Sequence, residues 1–233
     1  ESGEIDLALD LTSDQIATMD GNADIAIFRG PGNIVHFILM NDIDAAATFG
    51  WNGGKGFNPI GNGEFFSDST IAFKGSFRGM GYIIYNLYIN RPTMEMVGLF
   101  SDLTGDVDSL GFVNDTITGW RYAGPLTGIC RQCKIERCYA TGSTVSVVGA
   151  TGYAGALLGS ISYPSDTISD CYSSGTVTTP LYGGGLSGSA TAATIVDCYS
   201  SANVNGGNTV GGLIGAISNN VTITQCYATG NVS

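Results

Sequence analysis

Short apolar stretches alternate with small and polar residues along most of the chain, with a period of two. Near the end, Cys226 and Ala228 fall on one face of such a stretch, and Tyr227 and Thr229 fall on the other. Gly, Ser, Thr and Asn residues separate the stretches, as in tight turns. The pattern predicts many short strands and an all-β fold.

An internal repeat organises these strands. Its most visible part is a Cys-Tyr pair with Ile three residues before the Cys, found at Ile135/Cys138-Tyr139, Ile168/Cys171-Tyr172, Ile195/Cys198-Tyr199 and Ile223/Cys226-Tyr227. A G-x-L-x-G element precedes each pair, at 124–128, 155–159, 184–188 and 211–215. A Val follows the next turn, at Val145, Val177, Val204 and Val232.

Two earlier units keep the spacing with Leu in place of Cys, at Ile84/Leu87 and Val107/Leu110, and 97–101 replaces G-x-L-x-G. Each unit is interpreted as up to three strands, carrying G-x-L-x-G, I-x-x-C-Y-A and the Val. One unit cannot bury its own apolar face, so the units must stack into a β-solenoid. We assign residues 31–110 to irregular turns and residues 111–233 to regular ones, within one continuous domain.

The two ends of the chain differ from the repeats. Residues 12–15 fit a capping box, which predicts a short helix over 13–19, and residues 1–30 are interpreted as an N-terminal cap. The sequence stops within a repeat at Ser233. We therefore expect the last turn to continue in a longer chain or to meet a partner, with homotypic end-to-end stacking as one form of contact.

These motifs resemble the GLUG-repeat proteins, bacterial surface proteins named for a Gly-Leu-x-Gly element. The match is close at Gly212–Gly215 followed by Cys226–Gly230, and upstream stretches at 39–44, 57–61, 73–82 and 86–92 are also similar. The resemblance covers roughly residues 34–233. It implies a right-handed parallel β-helix, secretion, and a place in large adhesin-like proteins, without catalytic residues.

Some GLUG repeats accompany immunoglobulin-cleaving metallopeptidases. The zinc motif of those enzymes, H-E-x-x-H, needs two His, and this sequence has only His36. That activity is therefore not expected in this chain.

Composition narrows the partners. The net charge is −11 and charged residues make up 12% of the chain, so the basic patch that nucleic acid requires is not expected. No apolar run approaches the ~20 residues that span a bilayer, so membrane insertion is not expected either. No cofactor is indicated.

The Tyr residues of the Cys-Tyr pairs should point outward and form a ladder, continued by Tyr88. We predict a binding site for a surface glycan or a protein ligand at Tyr139, Tyr172, Tyr199 and Tyr227. Alternatively, the rings stack on each other under a loop. Paired Thr, Asn and Ser residues flank the Val of each unit, an array also seen in ice-binding solenoids.

Six Cys residues invite a metal or disulfide interpretation. Cys130, Cys133 and Cys138 supply three thiols, whereas structural zinc takes four ligands, so no metal site is predicted. We predict a disulfide between Cys130 and Cys133, although Cys130 also aligns with core Ile residues. The remaining Cys residues are predicted to form an internal ladder of free thiols.

Acidic residues offer two kinds of chemistry, catalysis and calcium binding. Asp170 and Asp197 each precede a Cys, so they should stack on adjacent turns. Such a pair could act as acid and base or bind Ca²⁺, or the two could be exposed charges at an edge. Two other groups offer oxygen ligands without the full calcium-loop pattern, and are interpreted as polar turns: Asp102, Asp106 and Asp108; and Asn41, Asp42 and Asp44. Asp166, in a longer loop, is expected to be solvated.

Together these features predict a non-enzymatic, extracellular structural and adhesive module of a cell-surface protein. The alternatives are a self-assembling filament subunit and a carbohydrate-active β-helix enzyme. Three sequons are present, at Asn114, Asn220 and Asn231.

Overall fold

The computed structural model describes residues 25–29, 35–61 and 72–233, which form a nearly all-β solenoid of about five turns. Each turn contributes short strands to four parallel sheets, as the stacking of repeats predicts. The predicted helix over 13–19 lies outside the described residues. The helical element that is described is a 3-10 helix at Ala45–Gly54, which Asp44 caps by accepting the Ala46 N–H at 3.0 Å.

Sheet A contains eight strands: β1 Ile25–Arg29, β2 Val35–Leu39, β4 Ser76–Arg78, β9 Asp106–Asp108, β14 Lys134–Glu136, β18 Thr167–Ser169, β22 Thr194–Val196 and β27 Thr222–Thr224. Sheet B contains ten: β3 Ile43–Asp44, β5 Ile83–Tyr85, β6 Tyr88–Asn90, β10 Gly111–Val113, β11 Thr116–Gly119, β15 Tyr139–Val147, β19 Tyr172–Thr179, β23 Tyr199–Ser200, β24 Asn203–Gly206 and β28 Tyr227–Ala228.

Sheets C and D contain five strands each. Sheet C is formed by β8 Phe100–Leu103, β13 Thr127–Cys130, β17 Leu158–Ile161, β21 Ser187–Thr191 and β26 Ile214–Ser218. Sheet D is formed by β7 Met96–Val97, β12 Tyr122–Ala123, β16 Tyr153–Gly155, β20 Tyr182–Gly184 and β25 Thr209–Gly211. The chain visits the sheets in the order A, B, D, C and then begins the next turn.

The core is built from ladders of equivalent side chains on successive turns. The Ile ladder runs Val107–Ile135–Ile168–Ile195 along sheet A, and the Val ladder runs Ile89–Ile117–Val145–Val177–Val204 along sheet B. All of these side chains are buried. Each ladder places like against like, so the interior is filled with few gaps along the axis of the stack.

At the first edge, β1 pairs antiparallel with β2, which in turn pairs parallel with β4. Residues 25–29 of the predicted cap therefore form a strand over the first edge of sheet A. An antiparallel neighbour satisfies that edge without adding another turn of the solenoid.

The G-x-L-x-G element spans the corner between sheets D and C and is not one continuous strand as predicted: Gly155 ends β16 and Gly159 lies in β17. A Cβ on Gly155 would lie 2.1 Å from the Leu158 carbonyl oxygen, and one on Gly159 would lie 2.7 Å from the Ala123 nitrogen. Both glycines recur because backbone atoms of the corner and of the neighbouring turn lie too close to leave room for a Cβ atom. The buried Leu residues at the centre of the element follow each other up the stack through backbone hydrogen bonds, as Leu126 N–H donates to Leu157 at 3.1 Å.

The register of the earliest predicted unit is wrong. Val107 pairs with Phe77, and Gly111 pairs with Ile83, so Ile84 and Leu87 are not the counterparts of Val107 and Leu110. The two positive-φ residues around Met80–Gly81 lengthen the corner of that turn. Leu87 instead follows the next corner and precedes β6, at the level of Asp115 in the following turn.

Candidate functional site

A ladder of four stacked tyrosines, hereafter the tyrosine ladder, lies on the outer face of sheet B. It is formed by Tyr139, Tyr172, Tyr199 and Tyr227, which pair in register on successive turns. Ring centroids are 4.8, 5.0 and 5.1 Å apart, and adjacent planes differ by 3°. The sequence therefore placed all four residues on one outward row, which the structure brings into contact.

The structure agrees with the stacking part of the alternative, and ligand binding at these residues stays a prediction. The rings stack on each other, yet the first three remain half-exposed and Tyr227 is 56% exposed. Because each ring covers its neighbour's face, the ladder offers ring edges and hydroxyl groups outward rather than flat faces. Tyrosine hydroxyls are protonated donors at neutral pH, and burial raises the pKa of Tyr139 and of Tyr172 further above that range.

The predicted continuation to Tyr88 is wrong. The partner of Tyr139 on the preceding turn is Gly111, and a Cβ on Gly111 would lie 2.5 Å from the ring. The Tyr139 ring therefore lies on bare backbone, which ends the ladder. Tyr88 lies in β6, which pairs with β11 and not with the strands that carry the tyrosine ladder. Its ring contacts Phe49, with ring centroids 4.8 Å apart.

A second ladder, on sheet D, was missed at the sequence level. Tyr122, Tyr153 and Tyr182 stack with centroids 4.9 and 4.5 Å apart. Tyr122 is nearly buried against Met96 and Ile129. A recurring signal was available, because each of these Tyr residues lies two positions before the first Gly of a G-x-L-x-G element.

A row of paired polar residues borders the tyrosine ladder on sheet B. Thr116/Thr118, Thr144/Ser146, Thr176/Thr178 and Asn203/Asn205 are in register. Thr118 Oγ1 and Ser146 Oγ are 3.0 Å apart, so part of the hydrogen-bonding capacity is used between turns. The mixture of Thr, Ser and Asn makes the row chemically uneven.

Cys130 and Cys133 form a disulfide across the corner between sheets C and A, with Cα atoms 5.8 Å apart. Asp166 stands one turn above and is buried, which contradicts the expectation that it is solvated. Its carboxylate accepts N–H groups of Cys133, Ser162 and Tyr163 at 2.9, 3.0 and 2.7 Å. Burial raises the pKa of Asp166, and these hydrogen bonds oppose the shift.

Cys130, Cys133 and Asp166 are also the group of potential metal ligands found among the described residues, with ligand atoms within 4.8 Å. In the disulfide the two sulfurs are bonded to each other, so they are not the thiolates that bind metal. The carboxylate in turn holds the longer loop closed. The disulfide and the carboxylate therefore stabilise the corner between sheets C and A.

Two further carboxyl groups are buried. Asp102 lies against Arg131, with Oδ2 3.4 Å from Nε, and burial raises its pKa to about 6. Asp115 accepts the Leu87 N–H at 2.8 Å and lies 3.4 Å from Ser143 Oγ, and burial raises its pKa to about 7. Raised pKa values often mark active sites, but both groups here are enclosed by packing rather than facing a cleft.

Asp170 and Asp197 are exposed, and both adopt positive φ, at 53° and 52°. The same left-handed conformation recurs in Ser109, Arg137 and Gln225 at the equivalent corner between sheets A and B. Asp tolerates this conformation better than most residues. The left-handed backbone at this corner therefore explains why an Asp precedes the Cys in these two units.

The other acidic groups considered for calcium serve turns and ion pairs. Asp42 accepts the Ile83 N–H at 2.9 Å, and Asp44 caps the 3-10 helix and accepts from Asn86 Nδ2 at 3.1 Å. Asp108 pairs with Arg137 at 2.6 Å. These contacts agree with the interpretation of Asn41, Asp42 and Asp44 as a polar turn. The interpretation is wrong for the other group, because Asp102 lies in β8 and Asp106 and Asp108 lie in β9.

The remaining Cys residues form the predicted internal ladder of free thiols, Cys138, Cys171, Cys198 and Cys226. The first three are buried, and Cys226 is half-exposed. Burial raises the pKa of Cys171 well above its usual range, which suppresses thiolate formation. The sequon residues Asn114, Asn220 and Asn231 are all exposed.

No protein-family profile matches the chain. It is 36% identical over 126 residues to halomucin of Haloquadratum walsbyi, covering 52% of this chain and 1% of that protein. It is 37% identical over 89 residues to a protein provisionally named a Gly-rich membrane protein in Evansella cellulosilytica, covering 37% of this chain and 10% of that protein. The matched segments are thus small parts of both relatives.

Among solved structures, the fold is similar to a Bacteroides ovatus protein provisionally described as an immunoglobulin A1 protease. The superposition covers 87% of this chain and 78% of that chain, with a TM-score of 0.51 and 18% identity. At this identity the likeness shows the β-solenoid fold alone. Within the described residues, no helix is long and apolar enough to cross a membrane.

Proposed function

We propose that this protein is a non-enzymatic, extracellular structural and adhesive module of a cell-surface protein, and that it belongs with the GLUG-repeat proteins. The observation that carries the proposal is the tyrosine ladder. It repeats one half-exposed hydroxyl-bearing side chain about every 5 Å over four turns. Such a row can contact a glycan or a protein at several equivalent points, each weak alone.

The relatives support this location and this role. One is named as a membrane protein and rich in Gly, and the segment matched in halomucin is about 1% of that protein. A segment that small fits a module within a much longer chain. The disulfide Cys130–Cys133 also suits an oxidising, extracellular compartment.

One observation favours an enzymatic role, the likeness to the B. ovatus protein. That likeness is one of fold and not of active-site residues. Glycoside hydrolysis needs two carboxyl groups on either side of a substrate. Asp115 and Asp166 instead bind backbone N–H groups inside the stack, and Asp102 pairs with Arg131. Their packing therefore supports structural roles.

A second candidate, a subunit of an extracellular filament, is favoured by the last described turn. Ile217, Ile223 and Val232 are 56%, 40% and 45% exposed there. A second copy stacking head-to-tail would cover them and propagate an open fibre. Further repeats in a longer chain would cover the same surface. Sedimentation of the 233-residue chain distinguishes these alternatives, because stacking of copies predicts large assemblies.

The adhesive role is tested by replacing both Tyr172 and Tyr199 with Ser. We expect at least a tenfold loss of binding to glycan arrays or to cell surfaces, while circular dichroism shows an intact β fold. The matched control replaces Tyr153 and Tyr182 with Ser, the same two substitutions in the ladder on sheet D. This variant should keep its binding.

Retained binding in the Tyr172/Tyr199 variant overturns the assignment of the site. Equal losses in both variants, or no binding by the unmodified chain to any surface tested, overturn it as well. Turnover of a polysaccharide or a protein substrate would replace the module with an enzyme.

A further inference from the structure

A cleft of about 710 Å³ opens beside the 3-10 helix, on the N-terminal side of the regular turns. Its walls are the end of the helical insertion, Gly53–Lys55, and the turn after β6, 90–94. The cleft is distinct from the tyrosine ladder, whose first ring lies on Gly111. Nothing in the proposed adhesive function depends on it.

The charge of the cleft is opposite to that of the molecule. The chain has 20 acidic and nine basic residues, yet two of the nine, Lys55 and Arg91, line this cleft. Among the described residues that line it, none is acidic. A concave surface with one sign of charge concentrates the field, so the cleft favours an anionic group despite the net charge of −11.

The walls of the cleft are fixed in place. Arg91 Nε donates to the Phe57 carbonyl at 2.9 Å, and the Asn90 N–H donates to the Lys55 carbonyl at 2.9 Å. Gly53 and Gly54 have φ of 68° and 83°, and open space lies where a Cβ would stand. The insertion therefore holds Lys55 beside Arg91 without filling the cleft between them.

An aromatic ring stands on the neighbouring turn. The backbone N–H of Trp120 donates to the backbone carbonyl of Met94, a cleft residue, at 2.9 Å. Its indole edge lies close to Gly149, its side chain is 42% exposed, and it belongs to none of the ring pairs among the described residues. Unlike the rings of the tyrosine ladder, this ring is stacked on no other aromatic ring in the part of the chain that the structure describes.

From this arrangement we propose that the cleft and Trp120 form a binding site for a saccharide chain bearing carboxylate or sulfate groups. The anionic group lies between the positively charged side chains of Lys55 and Arg91, both of which line the cleft. A sugar ring packs on the exposed indole, a large amphipathic surface with a low ordering cost.

Affinity electrophoresis of the full chain tests this proposal, with polygalacturonate, dextran sulfate, neutral dextran and polyglutamate as probes. We expect retardation by one or both anionic polysaccharides and none by neutral dextran, and the comparison of the two identifies carboxylate or sulfate as the group bound. Lys55→Glu and Trp120→Ala should each weaken binding at least tenfold. The binding should weaken as salt increases.

The control is Lys134→Glu, an exposed Lys on sheet A that makes the same change in net charge away from the cleft. It should leave binding within twofold of the unmodified chain. Equal losses in Lys55→Glu and Lys134→Glu, or no retardation by either anionic polysaccharide, overturn the proposal. Equal binding of polyglutamate with no effect of Trp120→Ala also overturns it, in favour of an acidic peptide.

Discussion

The early turns and the regular turns of this solenoid are stabilised in different ways. Before residue 111, large aromatic side chains fill the interior, with Phe100 4.6 Å from Phe73 and 5.8 Å from Phe77 between centroids. From there on, apart from Phe112, the apolar interior consists of Ile, Leu, Val, Cys and Ala ladders, and glycines let backbone segments approach each other closely at the corners. The stability of the early turns comes from large buried rings, and that of the regular turns comes from in-register stacking of equivalent side chains.

This difference explains where the outer ladders occur. In-register turns place equivalent side chains at steps of about 5 Å outside as well as inside the stack, so Tyr meets Tyr. The irregular turns carry an inserted 3-10 helix and a lengthened corner, so their outer residues form a cleft instead. Asp115 joins the two regions, because it accepts from Leu87 and lies beside Ser143.

The largest effect is expected in the aromatic core. Phe100→Ala removes a fully buried ring that contacts both Phe73 and Phe77, and should lower the free energy of unfolding by about 3–5 kcal/mol. Urea unfolding measures the change. Phe49→Ala is the control, because this ring is 68% exposed, and a loss there of similar size would contradict the account.

The junction at Asp115 should make stability depend on pH. Its folded pKa, about 7, lies above the ordinary 3.8, so the folded state binds the proton more tightly. This contribution is present below about pH 4 and is lost as pH rises through 7, on the order of 2–4 kcal/mol. Urea unfolding from pH 4 to 8 should show a decline that Asp115→Asn reduces.

The matched control for that experiment is Asp170→Asn, an exposed carboxyl with positive φ. It should leave the slope unchanged. A stability that rises over the same pH range, or a slope unaffected by Asp115→Asn, would show that Asp115 is charged in the folded protein.

The corner glycines should tolerate no side chain. Gly159→Ala would place a Cβ 2.3 Å from the Gly128 carbonyl oxygen, and we expect a loss of about 1–3 kcal/mol in thermal or urea unfolding. Gly50→Ala is the control, because nothing lies within 4 Å of a Cβ there. If the two variants are equally stable, the corners are not limited by close approach.

The Cys ladder should show the smallest effect. Cys198→Ser replaces a buried thiol, and should cost about 1–2 kcal/mol of unfolding free energy. In the unmodified protein, thiol reagents should label the half-exposed Cys226 first and Cys171 and Cys198 only on unfolding. Rapid native labelling of Cys171 would contradict the burial of the ladder.

The sequence predicts the repeats well because their constraints are local. Cys138-Tyr139 and its later copies alternate inward and outward residues, and this alternation fixes the face of each residue. The corners are harder to predict, because Arg137 and Gln225 adopt left-handed conformations that their residue types do not favour. The neighbouring turns impose those conformations.

The errors arise where loop length changes. A lengthened corner near Met80 shifted the register, so Leu87 and Tyr88 were assigned to the wrong rows. The longer loop predicts that Asp166 is solvated, yet the extra length lets the carboxylate fold back onto the backbone of its own loop. Neither outcome is visible without the neighbouring turn.

The central claim is that the regular turns stack in register, and nitroxide labels test it most directly. In a Cys226→Ala background, labels at Thr176→Cys and Asn203→Cys should lie on adjacent turns and show strong dipolar broadening in continuous-wave spectra. Labels at Thr176→Cys and Asn231→Cys, two turns apart, should broaden much less. Narrow lines for the first pair, or equal broadening for both, would contradict in-register stacking.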